Sequence, residues 1–248
     1  MKGRQLALDV AVRPSPGLDR FCGPAAPPLF QILKHWFQSL PGLDADFFQK
    51  SGLQGWGCSA GPSPWAPVYL WGPEGCGKTH VLAAVADHLR QAGRVCAWLD
   101  ALQPLPVEPW VDVWSAVLLD DVHALDAAGQ QQAFSWFAQA AALGVPVLAA
   151  GRLPPTDLPL REDLRTRLGW GPVLHLPPLD DDGLRVLLAQ SAHDRGLRLP
   201  PEVTHFVLHR FSRDPGSLMA LLDALDDYAL QAQRAITIPL VKSMLENA

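Results

Sequence analysis

The chain has 248 residues, 48% of them hydrophobic, which is enough for one moderate domain or for a larger and a smaller one with a packed core. Charged residues make up 18% of the sequence and the formal net charge is −5, so a broad basic surface for extended duplex binding is not expected. The four cysteines include no C-x-x-C pair, which argues against a zinc site or a disulfide framework and is typical of a reduced compartment.

No run of sequence approaches the about 18 uninterrupted apolar residues typical of a membrane-spanning helix, and the first residues lack the apolar region of a signal peptide. We therefore expect a cytoplasmic protein that does not associate with membranes. Residues 1–17 are expected to form a flexible tail, because the cluster Pro14-Ser15-Pro16-Gly17 would separate them from the folded body.

The first predicted helix covers Leu29–Leu40, where apolar residues recur at the spacing of one helix face. That face should pack on the core. Residues 41–67 are rich in Gly, Pro, Ser and Trp, so we predict an inserted loop there and assign it no task.

A phosphate-binding loop follows the apolar run Val68–Trp71. It matches the pattern G-x-x-x-x-G-K-[ST] and has a helical stretch behind it. Its backbone N–H groups can surround phosphate oxygens, Lys78 adds a positive charge, and the Thr79 hydroxyl can hold Mg²⁺. The alternative is a chance glycine-rich turn. The predicted nucleotide ligands are Gly72, Pro73, Glu74, Gly75, Cys76, Gly77, Lys78, Thr79 and His80.

Strands and helices then alternate, which indicates a parallel sheet with crossover helices. The helix after the loop should run to Gln91, and another should cover Ala127–Leu143. The predicted strands are Val68–Trp71, Arg94–Leu99, Val113–Leu119, Val145–Ala149 and Val173–Leu176.

Two carboxylates, Asp120 and Asp121, directly follow the third predicted strand. An acid at the end of a strand next to the P-loop strand reaches the metal of a bound nucleotide. Asp120 is therefore predicted to hold Mg²⁺, and Asp121 to orient a water molecule. The alternative is a strand-ending turn with solvated aspartates.

Beyond Pro177 the periodicity is helical throughout, which predicts a small bundle with a hinge at Leu176–Leu179. Asp180, the first of three consecutive aspartates, is interpreted as part of a helix cap. His205 and His209 lie four residues apart, but no third ligand has a recognisable spacing, so we interpret them as a solvated or partly packed pair and not as a metal site.

This order of features resembles the AAA+ ATPases, and three segments narrow the resemblance to their DnaA-related branch: 117–125, 160–171 and 174–179. The arginine-bearing box that precedes Trp170-Gly171 is similar to that of the Hda family, regulators of the bacterial replication initiator DnaA. The resemblance covers nearly the whole chain except residues 41–67. It implies an α/β fold, with an AAA+ P-loop NTPase domain over residues 18–176 and a small α-helical lid domain over residues 177–248.

The resemblance also implies a binding function for the tail. The segment Gln5-Leu6-Ala7-Leu8-Asp9-Val10 is similar to the QL-x-L sliding-clamp peptide of the Hda family. Leu6, Leu8 and Val10 could enter apolar pockets while the Gln5 amide makes hydrogen bonds. The alternative is a chance match in an unstructured terminus. The implied partner is the beta subunit of DNA polymerase III, the sliding clamp.

The resemblance further implies a negative regulator of replication initiation that binds ADP or ATP with Mg²⁺ and stimulates ATP hydrolysis by DnaA. Arg167 would act in trans as an arginine finger, since a guanidinium can neutralise charge on the transferred phosphoryl group. The sequence has no counterpart of the duplex-binding domain of DnaA, so DNA would be contacted only indirectly, through the clamp. Whether the chain forms a homo-oligomer stays open.

Two positions depart from the pattern of this family. Ala149-Ala150-Gly151 stand where relatives place a polar sensor residue, and Gly216 stands where a sensor arginine is often found, with Arg213 close by. Both departures favour weak intrinsic ATPase activity. Two other functions stay open: an active DnaA-like or helicase-loader ATPase, and a binding module in which the nucleotide is purely structural.

Overall fold

The computed structural model describes residues 17–18, 21, 23–38, 40, 66–103, 113–211, 213–232 and 234–246. The predicted clamp peptide and residues 41–65 of the predicted insertion lie outside these residues.

A five-stranded sheet forms the centre of the first part of the chain. Its strands lie in the order β2-β3-β4-β1-β5, and every neighbouring pair is parallel. The strands are β1 Val68–Trp71, β2 Val95–Asp100, β3 Trp114–Asp120, β4 Val147–Gly151 and β5 Val173–His175. Because all five run in one direction, their carboxyl ends meet at one edge of the sheet, where open α/β sheets bind ligands.

Four of the predicted strands have boundaries that differ from the observed ones by one or two residues, and the start of β4 shows one reason. The preceding helix ends at Gly144, which adopts a left-handed conformation (φ 67°), and the Val145 N–H donates to the Ala140 carbonyl to close that helix. Val145 is thereby used in a cap, and Pro146 has no N–H for the ladder. The strand therefore begins at Val147, two residues later than its apolar pattern predicts.

Helices cover both faces of the sheet. The helices of this part are α1 Ala26–Gln38, α2 Lys78–Gln91, α3 Ala127–Leu143 and α4 Glu162–Leu168, with one-turn 3-10 helices at Val122–Ala124 and Pro155–Asp157. The bounds of α3 and the end of α2 agree with the sequence prediction. Sequence analysis missed α4, because seven residues with only two buried leucines are too short for a periodic signal.

Two apolar clusters lie on opposite faces of the sheet. One joins α1 and α2 to alternate strand residues, including Leu70, Leu118 and Ala150, and the other joins α3 and α4 to the intervening ones, including Tyr69 and Leu119. Burial on both faces explains why these strands read as continuous apolar runs.

The last part of the chain is a helical bundle with its own apolar cluster. Its helices are α5 Asp181–Asp194, α6 Pro201–Arg210, α7 Pro215–Ala232 and α8 Ile238–Glu246. The Asp180 carboxylate accepts from the Gly183 N–H at 2.8 Å, which confirms the predicted helix cap. A parallel α/β sheet followed by a small helical bundle is the fold that the sequence predicted. Within the described residues, none of the helices is long and apolar enough to cross a membrane.

Candidate nucleotide site

The P-loop connects β1 to α2 and wraps around its own lysine. Gly75 (φ 76°) and Gly77 (φ 93°) adopt conformations that side-chain-bearing residues rarely reach, and Lys78 begins the helix. Lys78 is 5% exposed, and its Nζ donates to the carbonyls of Gly72 at 3.0 Å and Pro73 at 2.7 Å. The loop thus holds a buried ammonium group at the start of a helix, where anions bind.

Asp120 ends β3 and lies in the same site. It is 1% exposed, and burial raises the pKa of its carboxyl group, while a hydrogen bond from the Thr79 side chain opposes that shift. The Asp121 N–H also donates to Asp120 Oδ1, at 2.9 Å. The two side chains predicted to hold Mg²⁺ are therefore in contact.

Sequence analysis was wrong on one point of the topology: β3 is not next to the P-loop strand, because β4 lies between them. Asp120 nevertheless reaches Thr79. Alternate residues of a strand point to the same face of the sheet, so Asp120 shares a face with Ala116 and Leu118. Both of these residues pack in the same cluster as Ala150 of β4. Asp120 therefore lies on the face of the sheet that α2 covers, where it meets Thr79.

Asp121 has an unusual backbone. Its φ of 47° makes it the single residue other than glycine with a positive φ in the part of the chain that the structure describes. Such strain occurs at functional sites more often than elsewhere. Asp121 Oδ1 lies 3.8 Å from Nδ1 of His123, a residue that sequence analysis did not select. Burial lowers the pKa of His123, which favours a neutral imidazole beside the acids.

A second residue missed from the sequence is Arg152, which directly follows β4. Its Nη2 lies 2.7 Å from Oε2 of Glu74 in the P-loop. The register of the sheet brings it there: Trp71 pairs with Gly151, so the residues after these two strands leave the sheet side by side, and the sequence carries no signal of this pairing.

A cavity of about 390 Å³ joins the P-loop to the bundle. Its polar end contains Glu74, Lys78, Thr79, Asp121 and Arg152, and its other walls include Phe21, Leu179, Leu187 and Met219. A polar end that can hold phosphates and an apolar end that can hold a base suit a nucleotide. The apolar residues were not selected from the sequence, because they come from three separate segments.

The bundle approaches the P-loop closely at Gly75. A Cβ at Gly75 would come within 2.6 Å of Asp214 Oδ1, and Asp214 also caps α7 by accepting from the Ser217 N–H at 2.7 Å. Gly216 lines the cavity, as expected for the position of a sensor residue. Arg213 instead pairs with Asp181 at 3.2 Å, and the described residues that line the cavity do not include it.

His80, the last predicted nucleotide ligand, lies at the cavity wall in the first turn of α2. Its Nε2 is 3.1 Å from the carbonyl oxygen of Gly17. The ring thereby connects the helix to the segment before Phe21.

Arg167 lies elsewhere, in the last turn of α4. Its guanidinium carbon is 4.6 Å from the ring centroid of Phe134 and 5.3 Å from that of Trp170, whose side chain is 60% exposed. Arg167 is not among the described residues that line the cavity. Its charge is therefore presented on a separate face, which we call the arginine face and define as Phe134, Arg167 and Trp170.

Two further predictions concern the clamp peptide and the pair of histidines. Gln5, Leu6, Leu8 and Val10, the predicted clamp ligands, lie outside the described residues. The rings of His205 and His209 are 4.2 Å apart, and no group of three or more metal-ligating side chains occurs among the residues that the structure describes.

Comparison with known proteins identifies both parts of the fold. The family model described as the Hda lid domain matches residues 180–245. Domain III of the Thermotoga maritima replication initiation protein DnaA superposes with a TM-score of 0.73 at 17% identity, covering 94% of this chain and 97% of that one.

Two further solved structures are similar. AMPPCP-bound DnaA from Aquifex aeolicus gives a TM-score of 0.65 at 18% identity, covering 89% of this chain and 68% of that one. The Thermotoga maritima RuvB Holliday junction branch migration motor gives 0.60 at 18% identity, covering 94% and 72%. The fold is therefore the AAA+ fold of DnaA and RuvB, and its helical bundle is an Hda-type lid.

Proposed function

We propose that this Hda-like, DnaA-related AAA+ protein is a negative regulator of replication initiation that holds ADP in its own site and stimulates ATP hydrolysis by DnaA. One observation carries the proposal: Arg167 lies outside the chain's own cavity, against the rings of Phe134 and the exposed Trp170, which supports a role at a nucleotide held by another subunit. The Hda-type lid supports the same family of partners.

In its own site the chain binds ADP or ATP. Support comes from the buried Lys78 ammonium group, its position at the start of α2, and the apolar end of the cavity. The AMPPCP-bound DnaA structure has the same fold, which supports a nucleotide at the same place.

Mg²⁺ fits the donor set of this site. A hydroxyl from Thr79 and a carboxylate from Asp120 are hard oxygen ligands, and the hydrogen bond between these side chains brings both oxygens to one point beside the P-loop. When bound with a nucleotide, the ion would neutralise phosphate charge. Asp121, fixed by its backbone next to Asp120, would orient a water molecule.

Hydrolysis in this site is proposed to be slow. Ala149, Ala150 and Gly151 carry no polar side chain at the end of β4, and Gly216 carries none at the start of α7. The site therefore lacks two groups that would position a third phosphate or an attacking water, which favours a regulator that retains its nucleotide.

In trans, Arg167 would act on the triphosphate bound by DnaA. A guanidinium keeps its charge at all relevant pH values and can neutralise the charge that develops on the transferred phosphoryl group. Contact of the Arg167 guanidinium with the rings of Phe134 and Trp170 limits the rotamers of its side chain. Less side-chain entropy is therefore lost when Arg167 enters the neighbouring site.

A reconstituted assay tests this role, with labelled ATP on DnaA, a DNA-loaded clamp and the full chain. Arg167→Ala should lower stimulated hydrolysis by about 1,000-fold or more, the size measured for arginine fingers, while ADP binding stays intact. Arg165→Ala is the matched control, because Arg165 lies on the same helix and contacts the Thr156 carbonyl instead of the aromatic rings. Full stimulation by the Arg167 variant would exclude the finger.

The tether is proposed to be the peptide Gln5–Val10 on the sliding clamp. Replacing Gln5 and Leu6 by alanine should abolish clamp binding in surface plasmon resonance without changing ADP affinity, because the peptide would be independent of the cavity. Wild-type clamp affinity in this double variant would contradict the proposal.

An active DnaA-like or helicase-loader ATPase is the second candidate, and the contact between Thr79 and Asp120 favours it, since a hydrolytic site needs both groups. It requires rapid turnover by the isolated chain. The regulator requires slow ATP turnover by the isolated chain and fast ATP turnover by DnaA when the chain is present. A pure binding module would tolerate Arg167→Ala without loss of its effect on DnaA.

A further inference from the structure

We propose that Glu74, through its ion pair with Arg152, lowers the affinity of the cavity for a nucleoside triphosphate relative to the diphosphate. The inference rests on the proposed nucleotide site and names the residue that sets which nucleotide the site retains.

The two side chains meet because of the sheet. Trp71 at the end of β1 pairs with Gly151 at the end of β4, and the Gly72 N–H donates to the Gly151 carbonyl at 3.2 Å. Arg152 follows Gly151 directly, and Glu74 lies in the loop that Gly72 begins. Their 2.7 Å contact therefore spans the polar end of the cavity, which both residues line.

The side chains around this end carry no excess of positive charge before any nucleotide enters. Lys78 and Arg152 contribute two positive charges, and Glu74 and Asp121 contribute two negative ones. Lys78 is buried inside the loop, so it serves the phosphates that the loop itself holds. A further phosphate must extend towards the ends of β3 and β4, where it meets Asp121, Glu74 and an arginine that already has a carboxylate partner.

Stability does not explain the pair. The side chains of Arg152 and Glu74 are 51% and 79% exposed, and ion pairs this exposed contribute little to folding. A carboxylate in a loop that binds phosphates, however, repels each added negative charge. The repulsion would be larger for the triphosphate, because the triphosphate carries one more negative charge in total, and the additional phosphate would enter the part of the cavity that Glu74 lines.

Isothermal titration calorimetry on the full chain with Mg²⁺, ADP and a non-hydrolysable ATP analogue tests the inference. Glu74→Gln should raise the affinity for the ATP analogue relative to ADP by about tenfold, because one repelling charge is removed and Arg152 becomes available to the last phosphate. Arg152→Gln should change the ratio in the opposite direction, since it leaves the Glu74 carboxylate uncompensated. Both changes in the ratio of the two affinities should become smaller at high salt, which screens the charges.

Asp223→Asn is the matched control. It breaks another ion pair, between Arg195 and the exposed Asp223 at 2.7 Å. The change in net charge is the same, but it lies in the lid, away from the cavity-lining residues. It should leave the ratio of affinities unchanged.

The outcomes separate this inference from the proposed function. An unchanged ratio in Glu74→Gln, with both nucleotides still bound, overturns the role of Glu74 and leaves the nucleotide site in place. A wild-type chain that binds neither nucleotide overturns the site itself and this inference with it.

Discussion

The P-loop and the arginine face each hold a cation suited to phosphate, Lys78 and Arg167, but they hold it in opposite ways. Lys78 is 5% exposed and fixed by backbone carbonyls of its own loop, whereas Arg167 lies at the end of a seven-residue helix and is held by two aromatic rings. A buried cation can serve only a ligand that enters the cavity. A cation on an exposed face can serve a ligand that another molecule brings.

The difference also shows which changes each region should tolerate. Backbone carbonyls hold the Lys78 ammonium group, so its position should depend little on neighbouring side chains. The position of Arg167 depends on its aromatic neighbours, so the arginine face should be sensitive to uncharged substitutions as well.

Lys78→Ala is the strongest test of the P-loop. It should weaken ADP binding by about 100-fold, because charge-assisted hydrogen bonds to phosphate are lost. Calorimetry measures the effect, with Lys242→Ala as control, since Lys242 lies in the lid over the Phe206 ring. ADP affinity equal to that of the wild type would remove the P-loop from the proposed site.

Phe134→Leu and Trp170→Leu test the arginine face. Each should lower the maximal rate of stimulated DnaA hydrolysis by about fivefold to tenfold, because the guanidinium loses a cation–π contact of about 1 kcal/mol and samples more rotamers. The concentration for half-maximal stimulation should stay unchanged for Phe134→Leu, because Phe134 is half-buried on α3.

Leu143→Ala, at the end of the same helix as Phe134, is the control for surface changes on α3, since Leu143 is exposed and away from the arginine face. A wild-type maximal rate in both aromatic variants would show that Arg167 needs no stacking partner. A general loss of folding would appear instead as a lower melting temperature.

The smallest expected effect concerns Asp120. Burial raises the pKa of its carboxyl group in the folded protein, so the unfolded chain ionises at lower pH and stability falls as the pH rises through the folded-state value. At neutral pH, Asp120→Asn should therefore raise the melting temperature of the nucleotide-free protein by about 2–4 °C, equivalent to about 1 kcal/mol. Binding of nucleotide with Mg²⁺ should weaken in the same variant.

Differential scanning calorimetry against pH gives the check. The gain should fade under acid conditions, where the wild-type carboxyl group is protonated, and Asp157→Asn, at an exposed aspartate, should give no gain. A lower melting temperature for Asp120→Asn at neutral pH would mean that the Thr79 and Asp121 hydrogen bonds outweigh the cost of burial.

Much of the fold could be predicted because its signals are local. The apolar run Val68–Trp71, the glycines of the P-loop and the periodic helix Ala127–Leu143 each specify their own conformation through side-chain pattern or allowed φ. Short α4 carried no such signal. The helical bundle after Pro177 was likewise predictable, because its helices have a regular apolar face.

The sequence by itself determined the parallel sheet, the helical lid and the phosphate loop, since periodicity and glycine positions act within a few residues. Only the tertiary structure decided three contacts: Glu74 with Arg152, Thr79 with Asp120 across β4, and Arg167 between Phe134 and Trp170. Each joins residues far apart in the chain, and strand order and helix packing, which no local pattern encodes, bring them together.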